Sequence, residues 1–154
     1  MSAAHVARVV LLRTGVVLGR KGGALTELIR PFQFFAGGPI GSGRQVVSWI
    51  HIDDWVGMVM WALGETAVTG ALNLTAPQPA TNAVLAREIG RAMHRPALLR
   101  APALAVRLAV GEMADVAVLR GQYVVPAKAL ALGYTFRFPE LQAALDHLLG
   151  SASE

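Results

Sequence analysis

Val9-Val10-Leu11-Leu12-Arg13-Thr14-Gly15-Val16-Val17-Leu18 is a β-branched, apolar run with a polar turn at Arg13-Thr14-Gly15 and a further glycine at Gly19. Such a run reads as one buried strand entering a turn, and a continuously apolar strand belongs inside a parallel sheet, covered on both faces. From Gly19 onward the chain alternates helix and strand. Ala24 to Phe35 carries apolar residues at helical spacing, with Pro31 ending or kinking the helix. A loop from Gly37 to Gly43 leads to a second strand, Gln45 to Ile52, and Asp53 or Asp54 is placed to cap a helix carrying Trp55, Val59, Met60 and Leu63. A third strand, Ala71 to Leu74, precedes a helix over 83–93 capped at Thr81-Asn82. Beyond Pro96 the pattern changes. Pro102 opens an Ala/Leu-rich helix, Gly111 to Asp115 continues or reopens it, Gln122 to Val125 reads as a brief strand, Pro126 and Gly133 bracket a helical turn, and Pro139-Glu140 starts a last helix to about Leu149. Strands alternating with helices predict the α/β class.

The composition sharpens this. Of 154 residues, 54% are hydrophobic and 16% charged, against about 45–50% and about 25% in ordinary soluble domains. Disorder is thereby excluded. A spanning helix needs roughly 20 apolar residues in a row; Trp55 to Gly64 is too short, and Arg107, Glu112 and Asp115 interrupt 101–119. No membrane partner is expected. The absence of cysteine excludes disulfide and thiolate chemistry. Met1 to His5 shows no basic export signal, which gives a cytoplasmic expectation. Residues 1–52 hold six Lys/Arg against one acid, while 53–154 hold eight against nine. An anionic ligand or acidic partner belongs to the first third.

Motif by motif, little chemistry is complete. Gly38-Pro-Ile-Gly41-Ser-Gly43 and Gly19-Arg-Lys-Gly22-Gly23 both lack the three-glycine spacing that brings a backbone against a pyrophosphate. Tyr123 and Lys128 lie five apart across Pro126, so they do not share a helix face. Ser48, His51 and Asp53 do not form a nucleophilic triad, because a strand turns Ser48 away from the face shared by His51 and Asp53. His51 and Asp53 as metal ligands would need His5, His94 or His147, and no spacing connects them. Gly19 to Gly23 resembles the loop with which KH domains clamp a nucleic-acid backbone, but it follows a strand and no aromatic residues interleave with Arg20 and Lys21. Nucleic acid is not the expected partner.

Collinear stretches resemble one family. They are Arg13 to Gly19, Gly37 to Gln45, Ser48 to Asp54, Asn73 to Pro77 with Thr81-Asn82, Gly111 to Asp115, Gly121 to Pro126 and Phe138 to Leu145. Together they are similar to the extended, atypical short-chain dehydrogenases/reductases of the NAD-dependent epimerase/dehydratase type, called epimerase family proteins. The resemblance implies the C-terminal part of a Rossmann-like doubly wound sheet over 1–100, and a small, mostly helical, family-specific α/β domain over 101–150. It implies NADP or NAD as cofactor, with Arg13, Thr14 and Gly15 beside it at a strand end. Gly38, Arg44, Ser48, Trp49 and His51 would line the substrate region. Nucleotide-sugar epimerases usually have Asn where Val16 stands and Arg where Val47 stands, so the resemblance argues against a nucleotide-sugar substrate, with Arg44 as the substitute anion contact. The glycine-rich loop and the catalytic region lie outside these 154 residues in such enzymes. The implied chain is the substrate-side half, not catalytic alone, partnered by an N-terminal Rossmann half, a separate subunit or a second copy of itself. The alternative from a different class is a non-catalytic interaction module.

Overall fold

The computed structural model describes residues 7–102 and 121–150. It is an α/β structure. The chain runs through β1 (Val10–Thr14), β2 (Val16–Leu18), α1 (Ala24–Gln33), β3 (Val46–Val47), β4 (Trp49–His51), α2 (Ile52–Gly64), β5 (Gly70–Leu74), β6 (Ala80–Thr81) and α3 (Asn82–Ala92). It ends in α4 (Ala127–Ala131) and α5 (Leu141–Leu149). The expected helices opened by Pro102 and at Gly111 to Asp115 lie outside the described residues.

The single strand expected over 9–18 is two strands with different partners. β1 pairs parallel with β5, from Val10 opposite Gly70 to Thr14 opposite Leu74. After Gly15, β2 pairs parallel with β4, from Val16 opposite Trp49 to Leu18 opposite His51. Gly15 is where the partner changes: its N–H donates to Leu74 O at 3.1 Å, and the next N–H, of Val16, donates to Ser48 O at 2.8 Å. Only glycine fits there, because a Cβ would stand 2.5 Å from Ser48 O and 2.9 Å from the Thr75 methyl. β3 and β6 form a short antiparallel ladder.

The expected burial of this run holds for its second part only. Leu18 is fully buried, while Leu11 is 58% and Leu12 42% exposed. Among the described residues β1 has one strand neighbour, β5, and its outer side is uncovered. β4 has the coverage expected of an inner strand. Its successive side chains point to opposite faces: Trp49 enters a core with Leu18, Leu25, Phe32, Leu85, Ile89 and Leu145, and Ile50 a second core with Met58, Leu72 and Leu74. The final helix thus shares a core with α1 and α3.

Helix ends follow local chemistry. Thr81 caps α3 as expected, its hydroxyl accepting from Val84 N–H at 3.3 Å. α1 continues two residues past Pro31, whose carbonyl then accepts from the Phe34 and Ala36 amides. The cap of α2 is neither Asp53 nor Asp54. β4 runs directly into the helix, so the last extended residue, His51, takes the cap position and its Nδ1 accepts from Asp53 N–H at 3.0 Å. At the other end of α2, the Arg8 guanidinium donates to the carbonyls of Ala62, Leu63, Glu65 and Val68 at 2.6–3.0 Å. A cation on the carbonyls at this end of the helix complements the helix dipole.

Gln122 to Val125 is not a ladder strand. Side chains hold it instead: Ser48 Oγ–H donates to Gln122 O at 2.6 Å, Val124 N–H donates to Ser48 Oγ at 2.9 Å, and Asn73 Nδ2–H donates to Val125 O at 3.1 Å.

Candidate functional site

β1 and β5 run parallel and finish together at Thr14 and Leu74. Beyond their carboxyl ends opens a cleft of about 710 Å³. Its lining comes from the β1–β2 bend (Arg13 to Val16), from Ser48, from Asn73 and Thr75 at the end of β5, and from Gln122 to Val125. In open parallel sheets ligands bind in the crevice outside the strands' carboxyl ends. Arg13 is the charged residue of this lining. Thr75 is 1% exposed, and its hydroxyl has no hydrogen-bond partner among the described residues.

The structure brings four of the eight residues singled out from sequence, Arg13, Thr14, Gly15 and Ser48, to this one cleft. The other four sit elsewhere. Gly38 is backed against the chain, where a Cβ would fall 1.9 Å from Leu99 O. Arg44 is an exposed residue outside the cleft lining. Trp49 is fully buried, with its indole N–H donating to Gln78 O at 2.9 Å. His51 is fully buried too. Sequence reasoning missed Asn73, Thr75 and the 122–125 segment. The strand-end argument applied to Arg13 would have found Asn73 and Thr75, which lie two apart at the end of β5 and so share a face.

Ser48 holds its place at the cleft for a structural reason, since one hydroxyl both donates to and accepts from the strap that closes the rim. Ser48→Ala leaves the Val124 N–H and Gln122 carbonyl without that partner and is expected to cost about 1–2 kcal/mol. Hydrogen exchange at the Val124 amide checks this: protection should fall in the variant, and an unchanged rate would contradict the role.

A second cluster lies under the final helix. His51 Nε2 and His147 Nδ1 are 3.1 Å apart, and the Phe138 ring stacks on His51 at 4.0 Å between centroids. His51, Asp53 and His147 bring donor atoms within 4.8 Å of one another. These atoms are already engaged. Both His51 nitrogens are used in hydrogen bonds, and the Asp53 carboxylate faces Arg137 Nη1 at 3.5 Å. The set reads as a hydrogen-bonded junction. Asp54, expected at the helix cap, is buried, and its two oxygens accept from the Arg137 and Phe138 amides at 2.7 and 2.8 Å. The glycine-rich loop at Gly19 to Gly23 borders a hollow of about 430 Å³ with Arg20 and Lys21. Arg20 does not simply extend into water, because its Nη2–H donates to His147 O at 2.8 Å.

A domain family of unknown function, DUF1731, matches residues 101–148. The mouse epimerase family protein SDR39U1 is 50% identical over 143 residues, 92% of this chain and 48% of that protein. The crystal structure of human epimerase family protein SDR39U1, isoform 2, with NADPH superposes with a TM-score of 0.87 at 44% identity, over 94% of this chain and 49% of that one. Over nearly its whole length the chain is similar to one half of these epimerase family proteins. A nucleoside-diphosphate sugar epimerase from Corynebacterium glutamicum superposes with a TM-score of 0.70 at 33% identity, over 93% of this chain and 26% of that one. The chain spans about half the length of the curated relatives it matches. This similarity agrees with the α/β architecture and with the motifs that run collinearly through the chain. No helix among the described residues is long and apolar enough to cross a membrane.

Proposed function

We propose that this chain is the substrate-side half of an NAD(P)-dependent epimerase- or reductase-like enzyme, and that its cleft is completed by a dinucleotide-binding Rossmann half. The observation that carries the reading is the cleft outside the carboxyl ends of β1 and β5, with Arg13, Thr14 and Gly15 at its floor. A nicotinamide dinucleotide fits these residues in three respects. The volume of about 710 Å³ lies in the range of cofactor and ligand pockets, about 300–1,000 Å³. Arg13 offers a positive charge to an anionic group. The Thr75 hydroxyl is a buried polar atom without a partner among the described residues. That the human relative's structure holds NADPH supports the nucleotide class.

When bound, the nicotinamide would supply the hydride acceptor or donor, which no side chain provides. The chain's own part is to hold and enclose. Gly15 lets the β1–β2 bend lie close against the Ser48 carbonyl, Ser48 and Asn73 fasten the 122–125 strap over one side, and Arg13 sets the charge. Among the described residues β1 has one strand neighbour and an uncovered side, which supports the need for a partner, because an exposed apolar strand offers unpaired backbone groups to another strand.

The test is association. The chain is mixed with the separately expressed dinucleotide half of the human relative and sedimented, and a one-to-one complex is the expected result. A monomer at high concentration that ignores the added half would contradict the proposal. A mass twice that of the chain, unchanged by the added half, would favour the second reading that the same strand edge supports, a dimerising interaction module.

A further inference from the structure

His51 is wedged between the start of α2, the Phe138 ring and the final helix α5, with none of its surface exposed. Its hydrogen bonds fix where its proton sits. Nδ1 accepts from Asp53 N–H at 3.0 Å, so in the neutral ring the proton is on Nε2. Nε2–H then points at His147 Nδ1, 3.1 Å away, and His147 must accept there. The polarity of the whole relay is set by one backbone amide. It runs from Asp53 N–H to His51 and from His51 to His147 on α5.

We propose that the His51–His147 pair is a pH-sensitive latch, which fastens the final helix to the β4–α2 junction while the buried His51 ring is neutral and releases it when that ring takes a proton. A proton on His51 Nδ1 would face Asp53 N–H. Donor then meets donor, and water cannot enter to relieve a fully buried ring, so a charged His51 finds solvent only when α5 lifts. Moving the His51 proton to the other nitrogen saves one bond by losing the other.

The surrounding charges do little to accommodate an imidazolium. Asp53 Oδ2 is 4.0 Å from His51 Nδ1 but is shared with Arg137 Nη1 at 3.5 Å. The Asp54 carboxylate is spent on two amides. Arg20, from the loop after β2, sits on the His147 carbonyl. Asp146 of α5 is taken by Arg91 of α3 at 2.7 Å, and Arg91 also holds Glu88. Burial lowers the His51 pKa below the ordinary 6.5, with His147 and Arg137 adding to the lowering and Asp53 and Asp54 opposing it. A base with a lowered folded-state pKa contributes stability that is complete above its unfolded value and is lost as the pH falls below it. The latch therefore holds at neutral pH and opens on acidification.

The test joins ring tautomers to hydrogen exchange. At about pH 7.5, long-range nitrogen–proton spectra of the rings should show both histidines protonated on Nε2, and between about pH 7.5 and about pH 5.5 exchange of the α5 amides, corrected for intrinsic rate, should speed up by as much as tenfold per pH unit. His51→Asn keeps an acceptor for Asp53 N–H and carries no titratable ring, so α5 in H51N should exchange faster than in the native chain but without this acid sensitivity. A His51 proton on Nδ1 at about pH 7.5, an unchanged wild-type exchange rate, or equal acid sensitivity in H51N would each overturn the latch.

Discussion

Asp54→Ala is expected to lower the stability of the chain by about 3 kcal/mol. The Asp54 carboxylate is 2% exposed and accepts from two consecutive amides, Arg137 N–H at 2.7 Å and Phe138 N–H at 2.8 Å. Those bonds span more than eighty residues of chain and seat the segment that carries Phe138 onto His51. Alanine strands two amide donors in a site closed to water, each costing about 1–3 kcal/mol. Asn keeps one acceptor but turns an NH2 toward the second amide, so Asp54→Asn should fall between alanine and the native residue. Urea denaturation measures both variants as shifts in midpoint at constant slope. An alanine variant within about 0.5 kcal/mol of the native chain would remove Asp54 from this role.

Gly15→Ala is expected to destabilise by overpacking, at a cost of about 1–3 kcal/mol. The position needs no unusual backbone angle; the difficulty is space, with a Cβ placed 2.5 Å from the Ser48 carbonyl and 2.9 Å from the Thr75 methyl. The Ser48 oxygen is backbone and cannot swing aside. Its separation from Gly15 is tied to the 2.8 Å bond from Val16 N–H, so the methyl group must push β2 away from β4. The same displacement deforms the cleft floor, so Gly15→Ala should weaken both folding and nucleotide binding by the completed enzyme. Stability and affinity both equal to the native values would contradict the close approach.

The fold was legible where one residue type has one local solution. Thr81 before Asn82, the strand at 71–74 and the final helix to Leu149 follow from capping chemistry and periodicity, and they stand where those rules place them. Other features depend on distant parts of the chain. Nothing local says that the run at 9–18 changes partners at Gly15, because that turns on where Leu74 and Ser48 lie. The cap of α2 misleads because Asp is a strong capping residue, whereas β4 leads straight into the helix and leaves the cap to His51. Asp54 is then free to turn inward and meet amides in the segment before α5.

The candidate site was half legible. Arg13, Thr14, Gly15 and Ser48 share the cleft, and the strand-end rule together with the family resemblance pointed to them. Trp49 and His51, on the strand itself, are drawn toward the site by sequence adjacency, but their neighbours are core side chains. His147 lies ninety-six residues from His51, and no spacing rule links them.

The central claim is that the cleft belongs to a nicotinamide nucleotide enzyme and is unfinished in this chain. NADPH titration, followed by nucleotide fluorescence with the chain alone and with the complementary dinucleotide half added, tests it most directly. The expected result is no tight binding by the chain alone and binding that emerges when the second half is supplied, weakened by Gly15→Ala. Micromolar affinity in the isolated chain, or none in the assembled pair, would contradict it.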